Sequence, residues 1–235
     1  MILMITERQA RLTARQGEIL NMIVREYISL AEPVSSKLLE KKHEFGVSPA
    51  TIRNEMQELA DQGYLSQPHT SAGRVPTDKG YRFFVDKLLD GSPAPLPAGR
   101  QANPSVRSHI TLSHWIEEIT KFLAEESSDL ALGYLADEKI IWKEGWQDIF
   151  EEPEFLEPGL ASSFAGMIDD FEKNIEELFL PEIKIYIGKE NPVSKNKEFS
   201  IITAGFNGGL FAIFGPKRMS YDKNIKLIQE LWTRI

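Results

Sequence analysis

The chain of 235 residues has no cysteine, which excludes disulfides, thiolate metal sites and cysteine nucleophiles and fits a reducing compartment. Its 4 histidines, His43, His69, His109 and His114, have no metal-ligand spacing, so neither metal nor cofactor is expected. No apolar run approaches the roughly 18 residues of a membrane span. The opening run MILMI is broken at once by Thr6, Glu7 and Arg8 and lacks the apolar core of a secretory signal. Basic residues are outnumbered, 27 Lys+Arg against 35 Asp+Glu for a net charge of -8, a total that by itself disfavours a nucleic-acid partner. A soluble cytoplasmic protein with no membrane partner is the expectation.

The acid is unevenly placed. Residues 1–90 carry 12 Lys+Arg against 12 Asp+Glu, leaving 15 against 23 for residues 91–235. The neutral first part would offer any nucleic acid only a modest phosphate footprint per chain, so that binding there would favour a dimer over a monomer. The acidic remainder would be kept off a duplex. Between the two, GSPAPLPAGRQANP at 91–104 has the composition of an exposed linker. The expected organisation is an N-terminal domain at 1–90, a linker at 91–104 and a second domain at 105–235.

Upstream, Thr13 and Gln16 fit a capping box, and Ile19, Leu20, Ile23, Val24, Tyr27 and Ile28 recur with helical period. Pro33 and Ser35 start a shorter helix with Leu38 and Leu39. Phe45 and Gly46 make a turn, and Ser48 with Pro49 opens a third helix that buries Ile52, Met56 and Leu59 and stops at Gly63. Residues 64–67 and 74–76 form a hairpin, and Thr77 caps a fourth helix. This is the order of a winged helix-turn-helix. Downstream, 112–136 passes from helix to strand, 139–142 supplies a hairpin partner and 159–179 a helix. Strands follow at 182–187, 199–205 and 210–215, then an amphipathic helix at 221–232. The fold class is therefore α+β, with an antiparallel sheet expected to carry its helices on one side.

A recognition helix must present short polar or cationic side chains to base edges from its first turns. Ala50, Thr51, Arg53 and Asn54 lie off the apolar stripe. They offer an Arg for guanine, an Asn for adenine, and methyl groups for thymine. Ser48 and the free N–H groups beside it suit a phosphate. In the hairpin, His69, Thr70, Ser71, Gly73 and Arg74 make a small hydrogen-bonding tip with one permanent cation, suited to a sugar-phosphate backbone or a minor groove. The bland readings are solvated helix residues and a plain turn; helix and wing in register weigh against both.

These residues also carry a family resemblance. LTARQGEILNMIVREYISLAEPVSSKLL, followed by GVSPATIRNEMQELADQGYLSQPHTSAGRVPTDKGYRFFVD, closely resembles the DNA-binding domain of the bacterial heat-inducible transcription repressor family HrcA. WKEGWQDIFEEPEF, KIYIGKENP and FAIFGPKRMSYDKNIKLIQEL are similar to that family's GAF-like part. The resemblance implies a dimeric, non-enzymatic repressor of chaperone operons. It implies binding to an inverted-repeat operator in double-stranded DNA, modulation by the chaperonin, and relief by heat. Members of the family are usually longer, with a dimerisation subdomain inserted in the GAF-like part; this chain is expected to lack most of that insert.

Other signals are weaker. Glu151, Glu152, Glu154 and Glu157 resemble a solvated acidic face more than an acid/base or metal cluster. The glycines at 205–209 lack the ending of a phosphate loop and suit a hairpin turn. Trp115, Trp142, Trp146 and Trp232 suit core or interface positions. Two competing classes stay open: a winged-helix regulator whose second domain senses a metabolite, and a winged helix that binds protein through its hairpin.

Overall fold

The computed structural model describes residues 12–43, 45–69, 72–90, 109–178, 182–194, 197–206 and 208–234, with side chains left aside at 109–111 and 232–234. The chain divides into two compact units between Gly80 and Tyr81.

In the first unit, α1 (Ala14–Leu30) opens on a capping box in which the Thr13 hydroxyl accepts from the Gln16 N–H and the Gln16 side chain accepts from the Thr13 N–H, each at 3.1 Å. It buries Ile19, Leu20, Ile23 and Val24 completely. α2 (Ser36–Lys42) is capped by Ser35 and α3 (Pro49–Asp61) by Ser48, whose hydroxyl accepts from the Thr51 N–H at 3.2 Å. Gly63, at φ +77, turns the chain after α3, a conformation in which a Cβ is costly. The antiparallel pair β1 (Leu65–Ser66) and β2 (Val75–Pro76) forms the wing. Val34 bridges to Arg74, just ahead of β2, through two backbone bonds of 2.9 and 2.8 Å. α4 (Asp78–Asp90) starts where Thr77 accepts from the Gly80 N–H at 3.2 Å while donating to the Gly63 carbonyl at 2.7 Å.

The unit division falls inside α4, ahead of the boundary expected at 91–104. From Tyr81 onward the helix belongs to the second core, where Tyr81, Phe84 and Val85 are buried and Tyr81 meets the Tyr221 ring at 5.8 Å. The linker expected at 91–104 lies outside the described residues.

The second unit is built on α5 (His109–Ser127), β3 (Leu130–Leu135), β4 (Ile140–Glu144), α6 (Trp146–Phe150), α7 (Leu160–Lys173), α8 (Ile175–Leu178), β5 (Ile183–Ile187), β6 (Phe199–Phe206), β7 (Gly209–Pro216) and α9 (Tyr221–Arg234). Its sheet is wholly antiparallel, in the order β4-β3-β7-β6-β5. One face, with Leu130, Leu132, Phe199, Ile201, Ala212 and Phe214, packs on Phe164, Met167, Ile168 and Phe171 of α7. The opposite face meets α5: Trp115 sits edge-on to Phe206 and Phe211, and Gly133 lies so close to Thr120 and Ile116 that a Cβ would collide with them. α9 packs on β6 and α5. Helices therefore cover both sides, which corrects the one-sided arrangement expected from sequence. Every residue of β3, β6 and β7 is buried, and strands that are apolar on both faces need cover on both.

Candidate nucleic-acid interface

α3 is held on α1 by its own carboxylates. Arg15 Nε donates to Glu55 Oε1 at 2.7 Å, and Gln16 Nε2 donates to Glu58 Oε2 at 2.8 Å. Both acids of the helix middle are thereby turned toward α1. Ile52, Met56 and Leu59 fill the core below. At about 100° per residue, the outward stripe is Ala50, Asn54, Gln57 and Asp61. Ala50, Arg53 and Asn54 are exposed, with Arg53 on the flank nearest the wing. Thr51 lies on the other flank, half-buried, its hydroxyl 3.0 Å from that of Ser48. Asp61 accepts from Gln57 Nε2 at 2.8 Å, which puts the one acid of the outward stripe at the far end of the helix from Ala50 and Asn54.

In the wing, the described residues of the expected cationic tip fall into two places. His69 is exposed and its carbonyl accepts from the Ala72 N–H at 2.9 Å, while Gln67 Nε2 donates to the Ala72 carbonyl at 3.0 Å. Thr70 and Ser71 lie outside the described residues. Gly73 and Arg74 stand at the root, beside Val34, where a Cβ on residue 73 would run into the Val34 carbonyl. Glycine is required there by close backbone approach rather than by tip flexibility. Arg74 is half-buried: its Nη2 donates to Gln57 Oε1 at 2.7 Å and its Nε is buried without an acceptor.

Arg53, Gly73 and Arg74 are thus brought together. With Ser36, Lys37, Met56 and Gln67 among their neighbours, they line a recess of about 370 Å³ between α2, α3 and the wing. Ser48, Ala50, Thr51 and His69 do not line it. Lys37 and Gln57 were missed from sequence; Lys37 follows two serines at a helix start, a pattern that reads as capping alone, and Gln57 takes its role only from the register of Arg74 on Val34.

Elsewhere in the unit, burial pushes the Glu26 carboxyl up, but hydrogen bonds and charge from Lys42 and His43, at 2.6 and 3.0 Å, outweigh it and hold the group below its ordinary value. In the second unit, a recess of about 410 Å³ beside Tyr134 has both signs of charge on its walls, with Lys139 paired to Glu176 at 2.9 Å. Glu152 and Glu154, read from sequence as a solvated face, instead clamp Arg218, whose Nε donates to Glu154 Oε1 at 2.5 Å while Nη2 bonds Glu152. Their contact with Arg218 is made across 64 and 66 positions of sequence, which no local spacing reveals.

The architecture is that of a winged helix-turn-helix joined to a GAF-like α+β domain. A crystal structure of a hypothetical protein at 2.2 Å resolution has the same fold, with a TM-score of 0.77, 22% sequence identity, and 95% of this chain and 96% of that chain covered. Residues 100–225 match the family model of the HrcA protein C terminal domain. The chain belongs to the HrcA family. Relatives named heat-inducible transcription repressor HrcA include those of Acetivibrio thermocellus, 37% identical over 178 residues (75% of this chain, 50% of the relative), and Streptomyces albus G, 44% identical over 121 residues (52% and 36%). That of Natranaerobius thermophilus is 61% identical over 75 residues (32% and 22%). The matched stretches span half or less of these relatives' own lengths. Among the described residues, no helix is long and apolar enough to cross a membrane.

Proposed function

We propose that the chain is a transcriptional repressor that binds an inverted-repeat operator in double-stranded DNA as a homodimer and silences chaperone operons. One observation carries this reading. Glu55 and Glu58 are drawn onto α1 by Arg15 and Gln16, which leaves Ala50, Arg53 and Asn54 on an outward surface free of carboxylate over the first turns of α3. Those turns would enter the major groove, with Asn54 suited to adenine, Arg53 to guanine, and Ala50 and Thr51 to a thymine methyl. Asp61, at the other end, disfavours a phosphate there and supports entry by the N-terminal turns. Ser48 would hold a phosphate, and the wing, through His69, Thr70, Ser71, Gly73 and Arg74, would sit against the backbone. Two such heads related by a two-fold axis would match a palindrome and close the promoter to polymerase.

Relief by heat would follow from marginal stability, since a loss of about 1 to 2 kcal/mol changes the folded fraction severalfold. The chaperonin would act on the same equilibrium by returning unfolded repressor to its active form. The metabolite-sensing reading has less support: in the recess beside Tyr134, Lys139 is already paired to Glu176, Lys173 to Asp170 and Glu172 to Lys143. Crosslinking the repressor to DNA in its native cell, before and after a heat step, tests the reading. Recovered fragments upstream of chaperone genes, lost on heating, are expected; recovery of no promoter class before heating would contradict it.

A further inference from the structure

We propose that the recess between the first turn of α2, the wing-side flank of α3 and the root of the wing is a phosphate seat, with Lys37 and Arg74 as its principal cations. The inference rests on the DNA-binding reading above, which already sets Arg74 against the backbone, and adds to it Lys37 and the recess in which the two would share one phosphate. The recess has three cationic walls, Lys37, Arg53 and Arg74, and no carboxylate among its described lining residues. Several other cations of this chain are paired, among them Arg15 with Glu55, Arg82 with Glu190, Lys143 with Glu172, and Arg218 with Glu152 and Glu154. Among the described residues, Lys37, Arg53 and Arg74 have no ion-pair partner. Three like charges gathered around one cavity repel, and an anion entering it reverses the sign of that energy.

Arg74 adds an independent observation. Its guanidinium is oriented by Gln57, which accepts from Nη2 at 2.7 Å, while Nε is buried without an acceptor. A buried N–H without a partner is a standing cost, and an oxyanion reached by a small turn of the side chain would remove it with a charge-assisted bond. Because Gln57 belongs to α3 and Arg74 to the wing, the same hydrogen bond fixes the wing relative to the recognition helix. A phosphate seated there would therefore set the register of α3 in its groove, as backbone contacts do without reading sequence. Arg53, at the rim and exposed, keeps its base-reading role.

The chemistry requires a phosphate group, and two sources have it: the DNA backbone, which the adjacent reading helix favours, and a free phosphorylated molecule. Full-length wild type, Lys37→Gln, Lys37→Arg and Asn54→Ala chains titrated against selected and random duplexes over a salt series separate these. Lys37 is exposed, so folding should survive, and circular dichroism verifies it. Lys37→Gln should weaken both duplexes by the same factor, about eightfold at 0.1 M salt, and lower the salt slope by about one; Lys37→Arg should restore the slope. Asn54→Ala should change the ratio of selected to random binding and leave the slope alone. A Lys37→Gln slope equal to wild type would overturn the seat while leaving the DNA reading intact. If wild type bound no duplex, inorganic phosphate titrated against the amide resonances of Lys37 and Arg74 becomes the deciding arm. Shifts abolished by Lys37→Gln would support a seat for free phosphate and sink the DNA reading, and unmoved resonances would overturn the seat as well.

Discussion

Replacing Asp129 with asparagine should stabilise the second unit at neutral and alkaline pH and flatten its pH dependence. The carboxyl is 4% exposed at the junction of α5 and β3. Burial pushes it up to about 7, against the opposing hydrogen bond that Asn224 Nδ2 donates at 2.7 Å; the Glu152 charge adds to the rise, and those of Arg218 and Lys223 reduce it. Because the folded value lies above the ordinary 3.8, the folded chain keeps a proton that the unfolded chain releases. Its stabilising contribution is thus complete below the unfolded value and is lost as pH rises through about 7. At 1.36 kcal/mol per pH unit, the loss across that window is on the order of 4 kcal/mol.

Asparagine can still accept from Asn224, but it places an amide against Gly215, which lies on Asp129 Oδ1. An unmet N–H there costs about 1 to 3 kcal/mol. The net gain above pH 7.5 is therefore about 1 to 3 kcal/mol, with no gain at pH 4. All 4 tryptophans lie beyond residue 80, so urea unfolding followed by tryptophan fluorescence reports this unit alone. The wild-type midpoint should fall between pH 5 and pH 8, and that of Asp129→Asn should fall much less. Equal declines in the two proteins would refute the reasoning. If heat relieves repression by unfolding this unit, the variant should also release DNA at a higher temperature at pH 8.

Four further outcomes follow from the geometry. Gly73→Ala should detach the wing root from Val34, costing about 1 to 3 kcal/mol, read as lower protection of the Val34 and Arg74 amides in hydrogen exchange. Arg53→Ala should cost about 1 to 3 kcal/mol in operator binding and relax specificity, and wild-type affinity in a gel-shift series would remove its reading role. Glu26 is held below its ordinary value, so its contribution is present above the unfolded value and lost as pH falls through the folded one; Glu26→Gln should make acid unfolding of the first unit less steep by circular dichroism. Arg218→Ala leaves Glu152 and Glu154 facing each other and should destabilise the second unit by on the order of 2 kcal/mol in urea, less than for a fully buried pair because both glutamates touch water.

What could be read from sequence was what local chemistry dictates. Thr13 with Gln16, Ser48 with Pro49, and Gly63 mark helix ends because orphan backbone groups there admit few solutions. The strands β6 and β7 and their turn were legible from apolar runs meeting at glycines. The 159–179 helix was legible as a helix but not its break, where Asn174 bonds back to the Asp170 carbonyl at 2.7 Å and separates α7 from α8. α6 was missed, a five-residue helix too short to show a period. At the interface, the outward residues of α3 follow from its apolar stripe. The position of Arg74 does not, because it depends on its own backbone bridge to Val34, a contact between residues 40 positions apart.

The most direct test of the central claim is selection of bound sites from a pool of random duplex DNA by the full chain. An enriched inverted repeat, with half-sites separated by about one helical turn or a multiple of it, is the predicted result. A pool that stays unenriched after repeated rounds would contradict the reading of α3 as the element that recognises DNA.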